Sequence, residues 1–266
     1  MTTALVTGAS TGLGREFVKL FAADGVDVIL VASTRSTSKL EELTDELRSR
    51  YAVAAHAISM DLAAAGAAHE LDARVADLGV DVDVDVEHLV NNAGFGIVGL
   101  RIQDCDPEEV SRMIRLNVLT VTDLTMLHVP RMVKRGHGSI LNVSSIAGYV
   151  VPHGLEAAYA ASKAYIVSFS ESVGHDLRGT GVTCTHLAPG PTRTEFFPTA
   201  GLLDDSRLGR AMMDAATVAA AGYAAMRAGR ATVMPGLGTK AMRTAVALSP
   251  SKRLTGLVSG YFVTRR

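Results

Sequence analysis

The 266-residue sequence is poor in cysteine, carries almost no net charge and lacks a long hydrophobic run. Its two cysteines, Cys105 and Cys184, are too few for a disulfide framework, so we expect a reduced, cytoplasmic setting. A net charge of −1 excludes the electrostatic surface of a general nucleic-acid-binding protein. The longest uncharged run, 136–155, contains Asn142, Pro152 and two histidines, which excludes a membrane span. The opening MTTALVTGAS lacks the basic segment of a signal peptide.

Hydrophobic residues make up 48% of the chain, enough for a large core. Neither repeats nor linkers divide it, so we predict one domain over 1–266. Short β-branched runs alternate with helix-like segments. Strands are predicted at 4–7, 28–32, 52–58, 85–90, 139–143, 182–187 and 231–234, and helices near 12–24, 38–50, 62–78, 107–135, 156–178 and 214–228. This alternation predicts an α/β fold, a doubly wound Rossmann-type parallel sheet of about seven strands with helices on both faces.

A glycine-rich turn lies between the first predicted strand and the first predicted helix. It contains Gly8, Gly12 and Gly14 in the sequence TGASTGLG. Glycines permit a tight turn and close approach of the backbone to a pyrophosphate, which a helix N-terminus favours. We therefore predict a dinucleotide-binding turn, whose remaining contact residues are Ser10, Thr11 and Leu13.

The same letters also match G-x-S-x-G, the nucleophile elbow of serine hydrolases, with Ser10 as the nucleophile. A hydrolase of that fold needs sheet strands before its elbow, whereas only a few residues precede Ser10. We keep a serine hydrolase as a minor alternative.

The end of the second predicted strand indicates the kind of dinucleotide. An acidic residue there binds the ribose 2′-hydroxyl of NAD, whereas an arginine accommodates the 2′-phosphate of NADP. The chain reads Ser33, Thr34 and Arg35, with one guanidinium and no carboxylate. We therefore predict a preference for NADP over NAD.

Tyr159 and Lys163 are four residues apart in a predicted helix, so their polar ends share one face. A free phenol has a pKa of about 10. An ammonium about 4 Å away, at an effective dielectric constant near 20, favours the phenolate by ~4 kcal/mol. We expect this ammonium to lower the pKa of Tyr159, so that the tyrosine can donate and accept a proton.

These motifs, with NNAG at 91–94, SILNVSSIAG, YAASK and PGPTRT, resemble those of the short-chain dehydrogenase/reductase family, single-domain branch. The resemblance covers essentially the whole chain and implies hydride transfer with NAD(P). It implies that Ser145 binds the substrate oxygen, Tyr159 is the acid/base, and Lys163 binds the nicotinamide ribose. Asn117 would hold a water that links the lysine to solvent. Asp61 would meet the adenine amino group.

The resemblance also implies the rest of the cofactor site. Its predicted members are Leu62, Asn91, Ala93, Gly94, Pro189, Gly190, Thr192 and Thr194. In the family the serine usually lies thirteen residues before the tyrosine, whereas Ser145 lies fourteen before Tyr159. Ser144 therefore stays a second candidate, and one residue is inserted in the loop 146–158.

The predicted substrate pocket is largely apolar. Its members are Phe95, Tyr149, Val151, Leu155 and Phe196. A lid is predicted near 190–212, and a helical extension over 236–266 that packs on the body. His153 and Glu156 lie on the substrate loop, where we expect solvated polar side chains.

The chain is thus predicted to be an NADPH-preferring carbonyl reductase or alcohol dehydrogenase for a small apolar molecule, such as a fatty, acyl or steroid-like ketone. A catalytically silent NADP-binding sensor or scaffold is the alternative. The resemblance suggests a homodimer or homotetramer built from the helices near 107–135 and 156–178. No histidine spacing predicts a metal site, and neither a nucleic-acid nor a membrane partner is expected.

Overall fold

The structure, a computed structural model, describes residues 2–78, 86–149, 156–195 and 212–248. A parallel sheet of seven strands, in the order β3-β2-β1-β4-β5-β6-β9, forms its centre, and β7 pairs with β8 beside it. The strands are β1 (Thr3–Thr7), β2 (Asp27–Ala32), β3 (Ala55–Ser59), β4 (Val86–Asn91), β5 (Gly138–Val143), β6 (Val182–Leu187), β7 (Thr192–Arg193), β8 (Met213–Asp214) and β9 (Thr232–Val233).

Helices connect these strands and cover the sheet on both faces. They are α1 (Gly12–Ala23), α2 (Thr37–Tyr51), α3 (Ala67–Asp77), α4 (Pro107–Ile114), α5 (Val121–Arg135), α6 (Ala157–Asp176), α7 (Ala215–Arg227) and α8 (Leu237–Leu248). A π-helical segment, Arg115–Thr120, joins α4 to α5. None of the helices in these described ranges is both long and apolar enough to cross a membrane.

The core lies in two layers because successive side chains of a strand point to opposite faces of the sheet. Along β1, Ala4 and Val6 pack under α1, α2 and α7, whereas Leu5 packs on the other face with side chains of α3 and α5. Strands buried on both faces are expected to be continuously apolar, as the sequence LVTG and ILVA indicated. The predicted doubly wound α/β fold is confirmed.

β1 and β4 lie side by side in the sheet. From β1 the chain adds β2 and β3 on one side, and from β4 it adds β5 and β6 on the other side, so the strand order reverses between β1 and β4. In an open parallel sheet such a reversal leaves a crevice at the carboxyl ends of the strands. The loops that follow β1, β4, β5 and β6 all meet at this edge. The fold therefore brings the predicted motifs together, from Gly8 in the first to Thr194 in the last, although they are far apart along the chain.

Candidate active site

A cleft of about 500 Å³ lies at the carboxyl edge of the sheet. Loops after six neighbouring strands, β1 to β6, supply its walls, which explains why residues distant in sequence meet there. Its predicted members include Gly8, Ser10, Thr11, Gly12, Leu13, Ser33, Arg35, Asp61, Leu62, Ala93, Gly94, Phe95, Ser144, Ser145, Tyr159, Lys163, Pro189, Gly190, Thr192 and Thr194. The structure thus brings together the glycine-rich turn and the proton-transfer residues.

The glycine-rich turn is packed too tightly to accommodate side chains at Gly8 and Gly14. Gly8 has a φ of +67°, and a Cβ there would lie 2.8 Å from the side-chain nitrogen of Asn92. A Cβ on Gly14 would collide with the carbonyl oxygen of Gly8. Gly12 begins α1, with a φ of +55°. Thr11, Gly12 and Leu13 at this helix N-terminus line the cleft, and the first N–H groups of a helix have no acceptor within it, an arrangement that suits a phosphate group.

Thr7 and Asn92 join the glycine turn to the loop after β4. The Thr7 hydroxyl accepts hydrogen bonds from the backbone N–H groups of Asn92 and Ala93, both at 3.0 Å. The Asn92 side chain donates to the carbonyl oxygens of Thr7 at 2.9 Å and Gly8 at 3.1 Å. Neither residue was singled out from the sequence, although both lie inside quoted motifs.

Asn91 does not line the cleft, which corrects the expectation for this residue. It is the last residue of β4, and its side-chain amide donates to the side-chain oxygen of Asn142 at 2.8 Å inside the sheet. Asn92, the next residue, faces the cleft instead because side chains alternate in direction along an extended chain.

Arg35 and Asp61 mark the far end of the cleft, after β2 and β3. The Asp61 carboxylate accepts hydrogen bonds from the Arg112 guanidinium at 2.8 Å and from the Ala63 N–H at 3.0 Å. Burial raises the pKa of Asp61, but these two donors and the charges of Arg112 and Arg35 outweigh it and lower the pKa overall. Arg112, which also lines the cleft, was not predicted because it lies within a regular helix, α4, without a motif.

Thr34, the neighbour of Arg35, is exposed and does not line the cleft. It begins a short 3₁₀ turn, and its carbonyl oxygen accepts a hydrogen bond from the Thr37 hydroxyl at 2.8 Å. Of the three residues predicted to meet a 2′-phosphate, the structure therefore brings Ser33 and Arg35 to the cleft.

Ser145 and Ser144 have different environments. The Ser144 hydroxyl donates to the Lys163 carbonyl oxygen at 2.8 Å and is buried between β5 and α6. The Ser145 hydroxyl accepts from the Ala147 N–H at 3.1 Å, lines the cleft, and lies near enough to the Tyr159 phenol to lower the pKa of that phenol. This arrangement favours Ser145, the first choice from the sequence, over Ser144 as the residue that meets a reacting oxygen.

Tyr159 and Lys163 lie one turn apart on α6, both almost fully buried. The Lys163 Nζ lies 5.9 Å from the centre of the Tyr159 ring and donates to the Val143 carbonyl oxygen at 3.1 Å. Burial lowers the pKa of Lys163 to about 8. A Cβ on Gly94 would lie only 2.9 Å from the Asn117 Oδ1, so glycine at this position leaves room for the Asn117 side chain.

The expected lowering of the Tyr159 pKa is wrong for this structure. Burial raises that pKa, the hydrogen bond with Ser145 opposes the rise, and the carboxyl of Glu156 adds to it. Burial disfavours the charged phenolate, and this effect outweighs the contribution of Ser145. Tyr159 is therefore protonated at neutral pH, the form that can donate to a developing alkoxide.

Asn117 lies in the π-helical segment and acts through its neighbours. Its side chain accepts from the Phe95 N–H at 3.2 Å and donates to the Phe95 carbonyl oxygen at 2.9 Å and to Ser162 at 3.2 Å. Its partners thus lie on the loop after β4 and on α6, so simple bonding within its own helix is excluded. π-Helical turns are frequent at functional sites, and this one orients an amide toward the cleft walls.

The substrate end of the cleft is mostly apolar. Phe95, Val98 and Ala147 form its wall together with Met242 of α8, which the sequence did not predict. Glu156 also lines the cleft, so the expectation of a solvated loop side chain is wrong for this residue. Val151, Leu155, Phe196 and most of the proposed lid lie outside the described residues.

Tyr149 does not line the cleft, contrary to its predicted role in substrate binding. Its hydroxyl is 2.6 Å from the His186 Nε2, and the Arg243 guanidinium lies 5.4 Å from its ring. Arg243 belongs to α8, and a Cβ on Gly190 would meet Thr239 of the same helix. Through Arg243 and Thr239, α8 contacts the residues that follow β5 and β6.

Comparisons with known proteins agree on one family. A sequence model described as short chain dehydrogenase matches residues 2–201. A sulfoacetaldehyde reductase of Chromohalobacter salexigens is 38% identical over 192 residues, 72% of either chain. A very-long-chain 3-oxoacyl-CoA reductase of Laccaria bicolor is 36% identical over 187 residues, 69% of this chain and 53% of that protein. A short-chain dehydrogenase from Sphingobium yanoikuyae, solved in complex with NADPH, has a TM-score of 0.82 at 27% identity, covering 100% of this chain and 97% of its own.

Proposed function

Since the chain belongs to the short-chain dehydrogenase family, we propose that it is an NADPH-preferring carbonyl reductase that interconverts a largely apolar ketone or aldehyde with its alcohol. One observation carries the proposal. Ser145, Tyr159 and Lys163 line the same cleft as the glycine-rich turn, and Ser145 lies near enough to the Tyr159 phenol to lower its pKa. This combination places a proton donor and a dinucleotide-binding turn around one space.

Each of the three residues has a separate task in this proposal. The nicotinamide cofactor, when bound, supplies the hydride. Ser145 donates a hydrogen bond to the substrate carbonyl oxygen and fixes its position beside Tyr159. Tyr159 donates its proton to that oxygen as negative charge develops there. Lys163 provides the positive charge that stabilises the tyrosinate left behind, and Asn117 positions the Phe95 backbone that forms the adjacent wall.

The apolar wall supports the substrate class. Phe95, Val98, Ala147 and Met242 favour a hydrocarbon body next to the reacting carbonyl. The named relatives act on two unlike substrates, a small sulfonate and a very-long-chain 3-oxoacyl-CoA. The apolar wall is closer to what an acyl or steroid-like chain needs than to what a sulfonate needs, because a sulfonate requires cationic or amide partners.

Replacing the proposed proton donor tests this function. We expect Tyr159→Phe to lower kcat for NADPH-dependent ketone reduction by about 10²–10⁴-fold, since the phenol is the general acid. Binding of NADPH, measured by fluorescence titration, should stay within a factor of about two because the ring is retained. The matched control is Tyr51→Phe at the end of α2, outside the cleft. A Tyr159→Phe enzyme with more than half of the wild-type kcat would contradict the proposal.

The preference for NADP depends on Arg35. A guanidinium that lines the cleft beside Ser33 can form a charge-assisted pair with a 2′-phosphate. We expect Arg35→Ala to raise the KM for NADPH roughly tenfold or more and to leave the KM for NADH unchanged. Arg178→Ala, an exposed arginine beyond α6, serves as the control for loss of positive charge. Equal changes in the KM for NADPH and in the KM for NADH would show that Arg35 does not bind the 2′-phosphate.

The two alternatives have less support. A silent nucleotide sensor has no need for a buried tyrosine, serine and lysine set, and the Tyr159→Phe experiment separates it from an enzyme. A serine hydrolase would use Ser10, which follows β1, the first strand of the chain, and lines the cleft beside the N-terminus of α1. That position suits a hydroxyl at a phosphate better than a nucleophile.

The proposal includes a homodimer or homotetramer and a cytoplasmic location. Both cysteines are free thiols, which suits a reducing compartment. Leu119 at the end of the π-helical segment, Met126 of α5 and Tyr165 of α6 are exposed apolar side chains, which supports an interface between copies of the chain.

A further inference from the structure

Arg112 brings a guanidinium from helix α4 to the cleft wall near the ends of β2 and β3. Its Nη2 donates to the Asp61 Oδ2 at 2.8 Å, although the two residues are 51 positions apart in the chain. Both residues line the cleft, as Arg35 does. Their side chains are 43% and 44% exposed. An ion pair this exposed contributes little to the stability of a fold, so its position in the cleft wall indicates a role in binding.

Two contacts hold the Asp61 carboxylate, one at each oxygen. Oδ1 accepts from the Ala63 N–H at 3.0 Å, within the loop after β3, and Oδ2 accepts from Arg112. A carboxylate held at both oxygens has a defined orientation, and each of its oxygens can still accept a second hydrogen bond. The pair therefore fixes a charged acceptor at the cleft wall.

The segment that carries Arg112 is itself fixed to the loop after β3. Met113, the next residue, is fully buried. Further along the same continuous helix, the Thr120 hydroxyl donates to the Leu62 carbonyl oxygen at 2.7 Å, and Leu62 directly follows Asp61. The distance between the backbones of Arg112 and Asp61 is thus set by packing and by a second, buried hydrogen bond.

The chemistry of a ligand at this end of the cleft follows from Arg35. The proposed function assigns the 2′-phosphate of NADPH to this residue, which follows β2, and β2 pairs along its length with β3, the strand before Asp61. The ribose that carries the phosphate also carries the adenine, so residues next to Arg35 would bind the base. The 6-amino group supplies the N–H donors of adenine, and a carboxylate, which only accepts, complements it.

We propose that Arg112 is a positioning residue for recognition of the adenine: it holds the Asp61 carboxylate so that the carboxylate accepts a hydrogen bond from the 6-amino group. The inference rests on the cofactor of the proposed function and deepens it by assigning the selection of the base. Arg112 acts through Asp61, whereas Arg35 binds the phosphate.

Three dinucleotides separate recognition of the base from recognition of the phosphate. The hypoxanthine analogue of NADPH has an oxo group in place of the 6-amino group, and NADH lacks the 2′-phosphate. The Kd of each is measured by fluorescence titration without substrate. The base ratio is the Kd of the hypoxanthine analogue divided by that of NADPH, and the phosphate ratio is the Kd of NADH divided by that of NADPH. We expect a wild-type base ratio of about ten, because the analogue loses a hydrogen bond to a charged acceptor.

Variants of the pair test whether Arg112 acts through Asp61. Arg112→Ala should lower the base ratio about threefold or more, because Oδ2 loses its partner, and should leave the phosphate ratio within a factor of about two. Arg112→Lys, which keeps a cation, should restore part of the base ratio. Asp61→Ala should bring the base ratio to about one. Adding Arg112→Ala to Asp61→Ala should change the base ratio no further, as expected for a residue that acts through its partner.

Arg115→Ala is the matched control. Arg115 follows α4 directly and pairs with Glu108 at 2.8 Å, and it does not line the cleft. Its removal takes away the same charge and an ion pair of the same length, and it should change neither ratio.

The outcomes distinguish this inference from the proposed function. A wild-type base ratio near one, or an unchanged base ratio in Arg112→Ala, would overturn the inference. A lower phosphate ratio with an unchanged base ratio would also overturn it, because Arg112 would then bind the phosphate directly. An equal loss of affinity for all three dinucleotides would do the same, since the role would be structural. A wild-type chain that shows the expected base ratios but reduces no ketone would support the inference and overturn the proposed reductase activity.

Discussion

Lys163 illustrates at the scale of one residue how a catalytic arrangement lowers stability. Its side chain is 6% exposed, and burial lowers its pKa from 10.5 to about 8. The folded protein therefore binds a proton at Lys163 less tightly than the unfolded chain does. Between pH 8 and 10.5 the unfolded state holds more protons, so this residue makes stability rise with pH. Below pH 8 the full cost of the buried charge is present.

Removing that charge should make the protein more stable and inactive. We expect Lys163→Met to raise the free energy of unfolding at pH 7 by about 1–2 kcal/mol. Removing the buried charge should stabilise the folded protein by ~3 kcal/mol, and losing the hydrogen bond to Val143 should take back part of that stabilisation. The gain should shrink as the pH approaches 10. Urea unfolding at pH 7 and pH 10 measures both values, with Lys134→Met, at the end of α5, as control. If Lys163→Met were less stable than wild type at pH 7, the claim that the buried Lys163 charge destabilises the folded protein would be wrong.

At the same scale, spacing in the sequence identified the chemistry but not every contact. Tyr159 and Lys163 could be paired because a helix has a fixed repeat, and Ser145 because it follows a strand that ends at the same edge. The choice between Asn91 and Asn92 could not be made, since the last residue of β4 was not known to within one position. The side-chain direction of Glu156 depends on where α6 begins in space, which no local pattern contains.

At the scale of elements, the sequence predicted most helices and strands to within a few residues. The segment 107–135 was predicted as one helix, and it is continuous through α4, Arg115–Thr120 and α5. Its π-helical turn was not predicted because tertiary contacts stabilise it: Thr120 donates to the Leu62 carbonyl oxygen at 2.7 Å. The strand predicted at 52–58 begins later, at Ala55, because Ala52 adopts a φ of +55° and ends α2.

The pair formed by β7 and β8 shows a second limit of prediction. Each strand has two residues, and Thr192 pairs with Met213, which is distant from it in the sequence. A two-residue strand has no periodicity that could be recognised. Its effect on the site is nevertheless direct, because β7 follows the Pro189–Gly190 turn and contains Thr192, both of which line the cleft. Short pairings of this kind depend on the whole fold.

At the scale of the whole molecule, an exposed apolar face lies on the side of α5 and α6. Leu119, Met126 and Val133 follow one another at intervals of seven residues along the helix, and the first two are 52% and 64% exposed. Tyr165 of α6 lies beside them, stacked on Phe169 and within 3.0 Å of the Thr122 hydroxyl. Side chains spaced by seven residues form one stripe on a helix, the pattern of an interface between helices.

Disrupting this stripe should separate the subunits. We expect the wild-type chain, of 27.9 kDa, to sediment as a dimer or tetramer, and the double variant Leu119→Glu/Met126→Glu to sediment as a monomer. Burying two carboxylates against an apolar partner costs more free energy than the remaining contacts of the interface can supply. Ile102→Glu, at an equally exposed apolar residue before α4, is the control and should not change the mass. Analytical ultracentrifugation from 1 to 50 μM decides the matter, since typical homodimer interfaces stay closed over that range. A wild-type monomer throughout this range would show that this face has another partner or none.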